Sequence, residues 1–118
     1  MFSKERLHNE LIQSTNMSAV KLRAWLRTDI APITVANYKD APSLDQSNKL
    51  LTILMKNTEE LTKTDCFFIQ SILQRIKYLK NNRSREGYAR LDWENSLRNL
   101  GFDVKKQIKP ARKVKAYY

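Results

Sequence analysis

The chain has 118 residues, 42% of them hydrophobic and 29% charged, with a formal net charge of +10 at pH 7. That length supports one modest core, and a single cysteine, Cys66, with a single histidine, His8, excludes an internal disulfide and every common Cys/His zinc site. The positive charge is lopsided: residues 61–118 carry 14 Lys/Arg against 5 Asp/Glu, whereas residues 1–60 carry 8 against 7, and such a surplus concentrates polyanions, nucleic acid first among them.

The opening "MFSKERLHNELIQS" turns polar and amphipathic where a signal peptide turns apolar, and the longest apolar stretch, Cys66 to Ile69, falls far short of the roughly 20 residues of a membrane span. The expectation is a soluble protein with no membrane partner, cytoplasmic or, in a eukaryotic source, nuclear. Few glycines and prolines interrupt segments rich in Leu, Lys, Asn, Glu and Arg, a usage that favours helices over hairpins. The fold class expected is all-α: a small single-domain bundle of four or five helices over residues 1–103, followed by a basic flexible tail, 104–118.

A first helix is expected from about Ser3 to Gln13, with Phe2, Leu7, Leu11 and Ile12 on its apolar side. Asn16 is placed to cap a second, "MSAVKLRAWL", in which Val20, Leu22, Trp25 and Leu26 face inward. The following "TDIAPITVANYKDAPS", about sixteen residues with two Ala-Pro pairs, reads as a connection. It is long against the usual 4 to 6 or so, and it either packs across the bundle through Ile30, Ile33, Val35 and Tyr38 or forms a binding loop. It offers no tight helix-turn-helix turn after the second helix, so base-specific reading of DNA is not expected.

From Ser43 onward Leu44, Leu50, Leu51, Leu54 and Leu61 give an apolar side to a third helix. Thr62, with Asp65 three residues on, or Thr64 caps a fourth that runs to about Leu79, and Ile69, Ile72, Leu73, Ile76 and Leu79 mark it as the centre of the bundle. Tyr88, Leu91, Trp93, Leu97 and Leu100 belong to a fifth helix, with Gly101 as its C-terminal cap. Trp25 and Trp93 read as core anchors.

Two basic groups are the candidate nucleic-acid contacts. On the fourth helix and the loop after it stand Lys77, Lys80, Arg83 and Arg85, within a wider set that includes Arg75, Arg90 and Arg98. The tail adds Lys105, Lys106, Lys109, Arg112, Lys113 and Lys115 with no acidic residue after Asp103, while Pro110 opposes a continuous helix. Such an arm neutralises phosphates at variable spacing, and Tyr117 or Tyr118 is placed to stack on a base. The tail reads equally as a solubilising terminus, or as a segment whose tyrosines dock back on the domain or on a partner. Phe67 and Phe68, adjacent on a helix, point about 100° apart, so one of them is a candidate protein-interaction anchor.

Enzyme chemistry finds no support in the residues. Glu59, Glu60, Asp92 and Glu94 read as helix surface charges, Cys66 as a small buried residue, His8 as structural or solvent-facing, and no glycine-rich phosphate loop exists. No cofactor is expected. The residues "KYLKNN" and "YARLDWENSLRNL", within Leu50 to Leu100, resemble the helical N-terminal module of transcription elongation factor S, where a Trp-bearing last helix closes a small bundle. This chain departs from that module in lacking its glycine-containing helix start, and the likeness is too general to assign membership; it implies a bundle that docks proteins in transcription. Three functional readings remain: a nucleic-acid binder working mainly through phosphates, a regulator or inhibitor that docks on an acidic protein surface, and a homo-oligomeric component of a nucleoprotein assembly.

Overall fold

A computed structural model describes residues 3–83 and 87–105. Among them are six α-helices and no strand: α1 (Lys4–Ser14), α2 (Ala19–Leu26), α3 (Ile30–Asn37), α4 (Leu44–Leu54), α5 (Lys63–Asn81) and α6 (Gly87–Arg98), with a 3₁₀ turn at Thr58–Glu60. The helices pair as α1 along α5, α2 against α4 and α3 against α6, and α5 also touches α4 and α6. The all-helical bundle expected from the sequence is present, with six helices among the described residues where four or five were expected, and α5 is the longest of them.

Local chemistry explains most of the helix starts. Ser3, Ser18, Ser43 and Thr62 each accept a backbone N–H from their first turn. At Ser43 and Thr62 the partner side chains, Gln46 and Asp65, reach back to complete reciprocal capping boxes. Ser18, and not Asn16, caps α2. Asn16 instead spans the molecule: its Nδ2 donates to the Asp103 carbonyl at 2.9 Å and its Oδ1 accepts the Asp103 N–H at 2.6 Å. The Asn16 and Met17 N–H groups donate to the Gly101 carbonyl at 3.0 and 3.1 Å.

Gly101 ends α6 as anticipated, and for two reasons. Its φ of +80° lies in the left-handed region, and a Cβ there would stand 3.2 Å from Thr15 Cγ2. The Phe102 N–H donates to the Leu97 carbonyl and the Gly101 N–H to the Arg98 carbonyl, both at 2.9 Å, which is the Schellman arrangement. Phe102 and Leu97 are both buried beneath it.

The expected connection after α2 is in fact helical. Only Arg27, Thr28 and Asp29 separate α2 from α3. Pro32 does not break α3 because it falls in the first turn, where its missing N–H has no helical acceptor to lose. Packing supplies what propensity does not: Ala31 and Thr34 are buried, and the fully buried Asn99 of the α6 end donates to the Ala31 carbonyl at 3.4 Å. Ile30 and Ile33 face water, contrary to the expectation that they pack across the bundle, while Val35 and Tyr38 are half-buried. The short turn has the length found in helix-turn-helix units, but the outward positions of α3 are Ile30, Pro32, Ile33, Ala36 and Asn37, with no cation to read a base edge.

The core joins Leu7 and Leu11 of α1, Leu22 of α2, Leu50, Leu51 and Ile53 of α4, Ile69, Ile72, Ile76 and Leu79 of α5, and Trp93, Leu97 and Leu100 from α6 and its end. Trp93 is a core anchor whose Nε1 donates to the Leu79 carbonyl at 2.6 Å. Trp25 packs on the core half-buried, its Nε1 donating to Asn99 Oδ1 at 2.6 Å. Three expectations about individual side chains fail as well. Val20 points outward at 76% exposure, Ile12 is exposed, and Leu61 lies beyond the third expected helix, which ends at Leu54. In each case the apolar residue stands on the wrong arc of its helix or past its last turn. Glu94 is a further correction: it is buried, with its carboxylate 3.4 Å from Arg90 Nε.

Candidate nucleic-acid interface

The wider basic set divides into two classes by where its side chains go. Arg75 is turned onto the chain before α4, donating to the Asp40 carbonyl at 3.0 Å. Arg90 pairs with Glu94. Arg98 bonds Asn95 Oδ1 at 2.6 Å, pairs with Asp103 at 3.4 Å and lies 5.3 Å above the Trp25 ring. These three guanidiniums serve the fold.

Lys77, Lys80, Arg83 and Lys105 are exposed. The Lys80 ammonium lies 3.9 Å from the centroid of Phe102, and the Arg83 guanidinium 5.6 Å from that of Trp93. Both aromatics are buried, so each cation rides on a ring that belongs to the core and keeps its remaining N–H groups for solvent or a ligand. Partial burial pushes the Lys80 ammonium below the usual lysine value, by desolvation of its charge. Because Phe102 follows the Gly101 turn that closes α6 and Lys80 lies in the last turn of α5, the Lys80 contact joins that turn to the base of the tail. Lys77, Lys80, Arg83 and the start of the tail therefore share one end of the bundle. Arg85, Lys106, Lys109, Arg112, Lys113 and Lys115 lie outside the described residues.

A groove between α1 and α5 opens beside this end. Its upper part, about 330 Å³, is lined by Leu73 and Ile76, with Lys77, Lys80, Ser14 and Asn81 around them and Glu10 opposite. It continues past Gln70 and Gln74 into a broader depression of about 560 Å³ near Arg6. Glu10 is paired with Arg6 at 3.2 Å on α1. The sequence reading missed this groove, since it is made by two helices far apart in the chain. It also missed Tyr78, which is 49% exposed. The available signal was that Tyr78 drops out of the apolar series Ile69, Ile72, Ile76 and Leu79.

Of the two phenylalanines, Phe68 is half-buried against the core with the Lys49 ammonium 4.8 Å from its ring centroid, and Phe67 is 54% exposed. His8 is buried and its Nδ1 hydrogen-bonds Thr58 Oγ1 at 2.6 Å, tying α1 to the 3₁₀ turn. Cys66 is buried and unpaired. Among the described residues no three His, Cys, Asp or Glu side chains stand together to hold a metal, and no helix is long and apolar enough to cross a membrane.

Fold and surface together define a small all-helical domain with a cationic end. The chain belongs to a family described as protein of unknown function (DUF3140), which matches residues 10–98. That span contains Lys77, Lys80, Arg83 and Arg85 and stops short of Gly101 and the basic tail. No curated protein and no solved structure matches the chain, and the likeness to the elongation factor S module draws no support from that quarter.

Proposed function

We propose that this protein binds nucleic acid mainly through phosphate contacts and works as a small transcriptional or nucleoprotein regulator. The observation that carries the reading is the sorting of the basic residues: Arg75, Arg90 and Arg98 have hydrogen-bond or ion-pair partners within the domain, while the side chains of Lys77, Lys80, Arg83 and Lys105 stay exposed, without such partners among the described residues, near the end of α6. Cations held on a rigid helix end fix a register, and the basic sequence that follows Lys105 adds further phosphate contacts. The test is fluorescence-anisotropy titration against duplex DNA, single-stranded DNA and RNA over a salt series. Saturable binding with a steep salt dependence supports the reading, and no binding at low salt overturns it. Replacement of Lys105, Lys106, Lys109, Arg112, Lys113 and Lys115 by Gln is expected to weaken binding and flatten the salt dependence.

Exposed Phe67 favours a second reading, a module that docks on an acidic surface of a larger protein with this ring as its anchor. In that case Phe67→Ala abolishes partner capture and leaves the helical circular-dichroism signal unchanged.

A further inference from the structure

Between Asp65 and Glu86 the chain contains no acidic residue, while Arg75, Lys77, Lys80, Arg83 and Arg85 all fall within that interval. The outward side of the second half of α5 is therefore cationic or neutral along its whole length. Near its centre stands Tyr78, with half its surface open to water. Its neighbours on the helix surface at three and four positions are Gln74, Asn81 and Asn82, all exposed, and Arg75, which is drawn away toward Asp40. Lys77 lies about 100° around the helix from Tyr78, past Gln74 and Asn81, and beyond Lys77 lies the groove lined by Leu73 and Ile76. Two apolar surfaces thus flank one ammonium group, an aromatic ring on one side and an aliphatic cleft on the other.

We infer that this surface takes single-stranded nucleic acid, with one base stacked on Tyr78 and the adjoining phosphates on Lys77 and Arg83. The inference rests on the nucleic-acid reading above and narrows it. Duplexes hide their base faces, so an exposed ring among phosphate-binding cations has nothing to stack on there. Single strands present a π-face at every nucleotide, and aromatic side chains interleaved with cations are the usual means of holding them without sequence preference. Charge complementarity points to the same occupant, since among the described residues the only carboxylate lining the groove, that of Glu10, is already paired with Arg6. Neutral amides around the ring add hydrogen-bonding groups that suit any base edge.

The experiment compares the full chain with Tyr78→Ala and Tyr78→Phe, by anisotropy on labelled oligo-dT, oligo-rU and a duplex of equal length, with thermal melts to verify folding. Wild type is expected to prefer both single strands to the duplex. Tyr78→Ala is expected to lose about thirtyfold on the single strands, the middle of the range for one base–aromatic stack, and to bind the duplex unchanged. Tyr78→Phe, which keeps the ring, is expected to bind as wild type. Single-strand affinity unaffected by Tyr78→Ala, or lowered equally on the duplex, overturns the stacking role while leaving phosphate binding standing. Preference of wild type for the duplex overturns the inference alone, and absence of binding to all three at low salt overturns both readings.

Discussion

Simultaneous replacement of Lys77, Lys80 and Arg83 by Gln tests the proposed interface most directly, because on that proposal the change withdraws three phosphate contacts. Each phosphate contact contributes about 0.9 to the slope of log affinity against log salt on duplex DNA and about 0.7 on a single strand. Three lost contacts therefore lower the slope by about 2.7 or about 2.1, respectively. The ring contacts separate binding from folding: losing the Lys80–Phe102 and Arg83–Trp93 contacts removes about 0.5 to 1 kcal/mol of stability each at exposed sites. The matched control replaces Arg75, Arg90 and Arg98 by Gln, an equal change of charge. Those side chains are committed to Asp40, Glu94, Asn95 and Asp103, so the control is expected to lose stability in urea and to keep its salt slope. Anisotropy titrations from low to moderate salt, with urea melts of each variant, provide both quantities. Equal slopes for the two triple variants would refute the reasoning, since net charge alone would then govern binding.

Three further outcomes concern the fold. Gly101→Ala is expected to destabilise by about 1 to 3 kcal/mol, since it forces a side chain into positive φ and against Thr15; urea denaturation at equilibrium measures this. Asn16→Ala removes both bonds to the Asp103 backbone and is expected to cost about 1 to 3 kcal/mol by the same assay. Asp65 is held below its usual 3.8 mainly by the Lys56 ammonium 2.7 Å away, against an opposing effect of burial, with help from the Thr62 N–H and hydroxyl. Since the folded-state value is the lower one, this stabilisation is complete above about pH 4 and drains away as pH falls through the depressed value. The stability gap between wild type and Asp65→Asn is therefore expected to be constant near neutrality and to narrow in acid, and a gap independent of pH would refute it.

What the sequence made legible was what local chemistry decides. Thr62 and Asp65 announce the start of α5 within one turn, and the apolar series behind them fixes its buried side. Gly101 announces the end of α6 because few residues other than glycine accept its backbone conformation. The failures are non-local. α3 was hidden by Pro32 and β-branched residues and exists because Ala31 and Thr34 find α6. Asn16 looks like an ordinary cap until its partner, 87 residues away, is in view. The same holds for the interface: Arg75 and Lys77 are alike in sequence, and only the path of the chain near Asp40 takes one of them out of the basic surface. Tyr78 and the α1–α5 groove required burial and helix pairing that periodicity alone does not give.

The junction of Asn16 and Met17 with Gly101 and Asp103 also sets the order in which the domain can be made. Its partners are nearly a domain length apart, so the loop-closure entropy between them has to be met before either side gains its hydrogen bonds. During synthesis the N-terminal helices emerge first, but the segment leading into α2 has no acceptor at Gly101 until the last turn of α6 is out. Closure is thus a late event, and it delivers Phe102 beneath Lys80 in the same step. The ring on which Lys80 rests is therefore in place only once the end of α6 has docked.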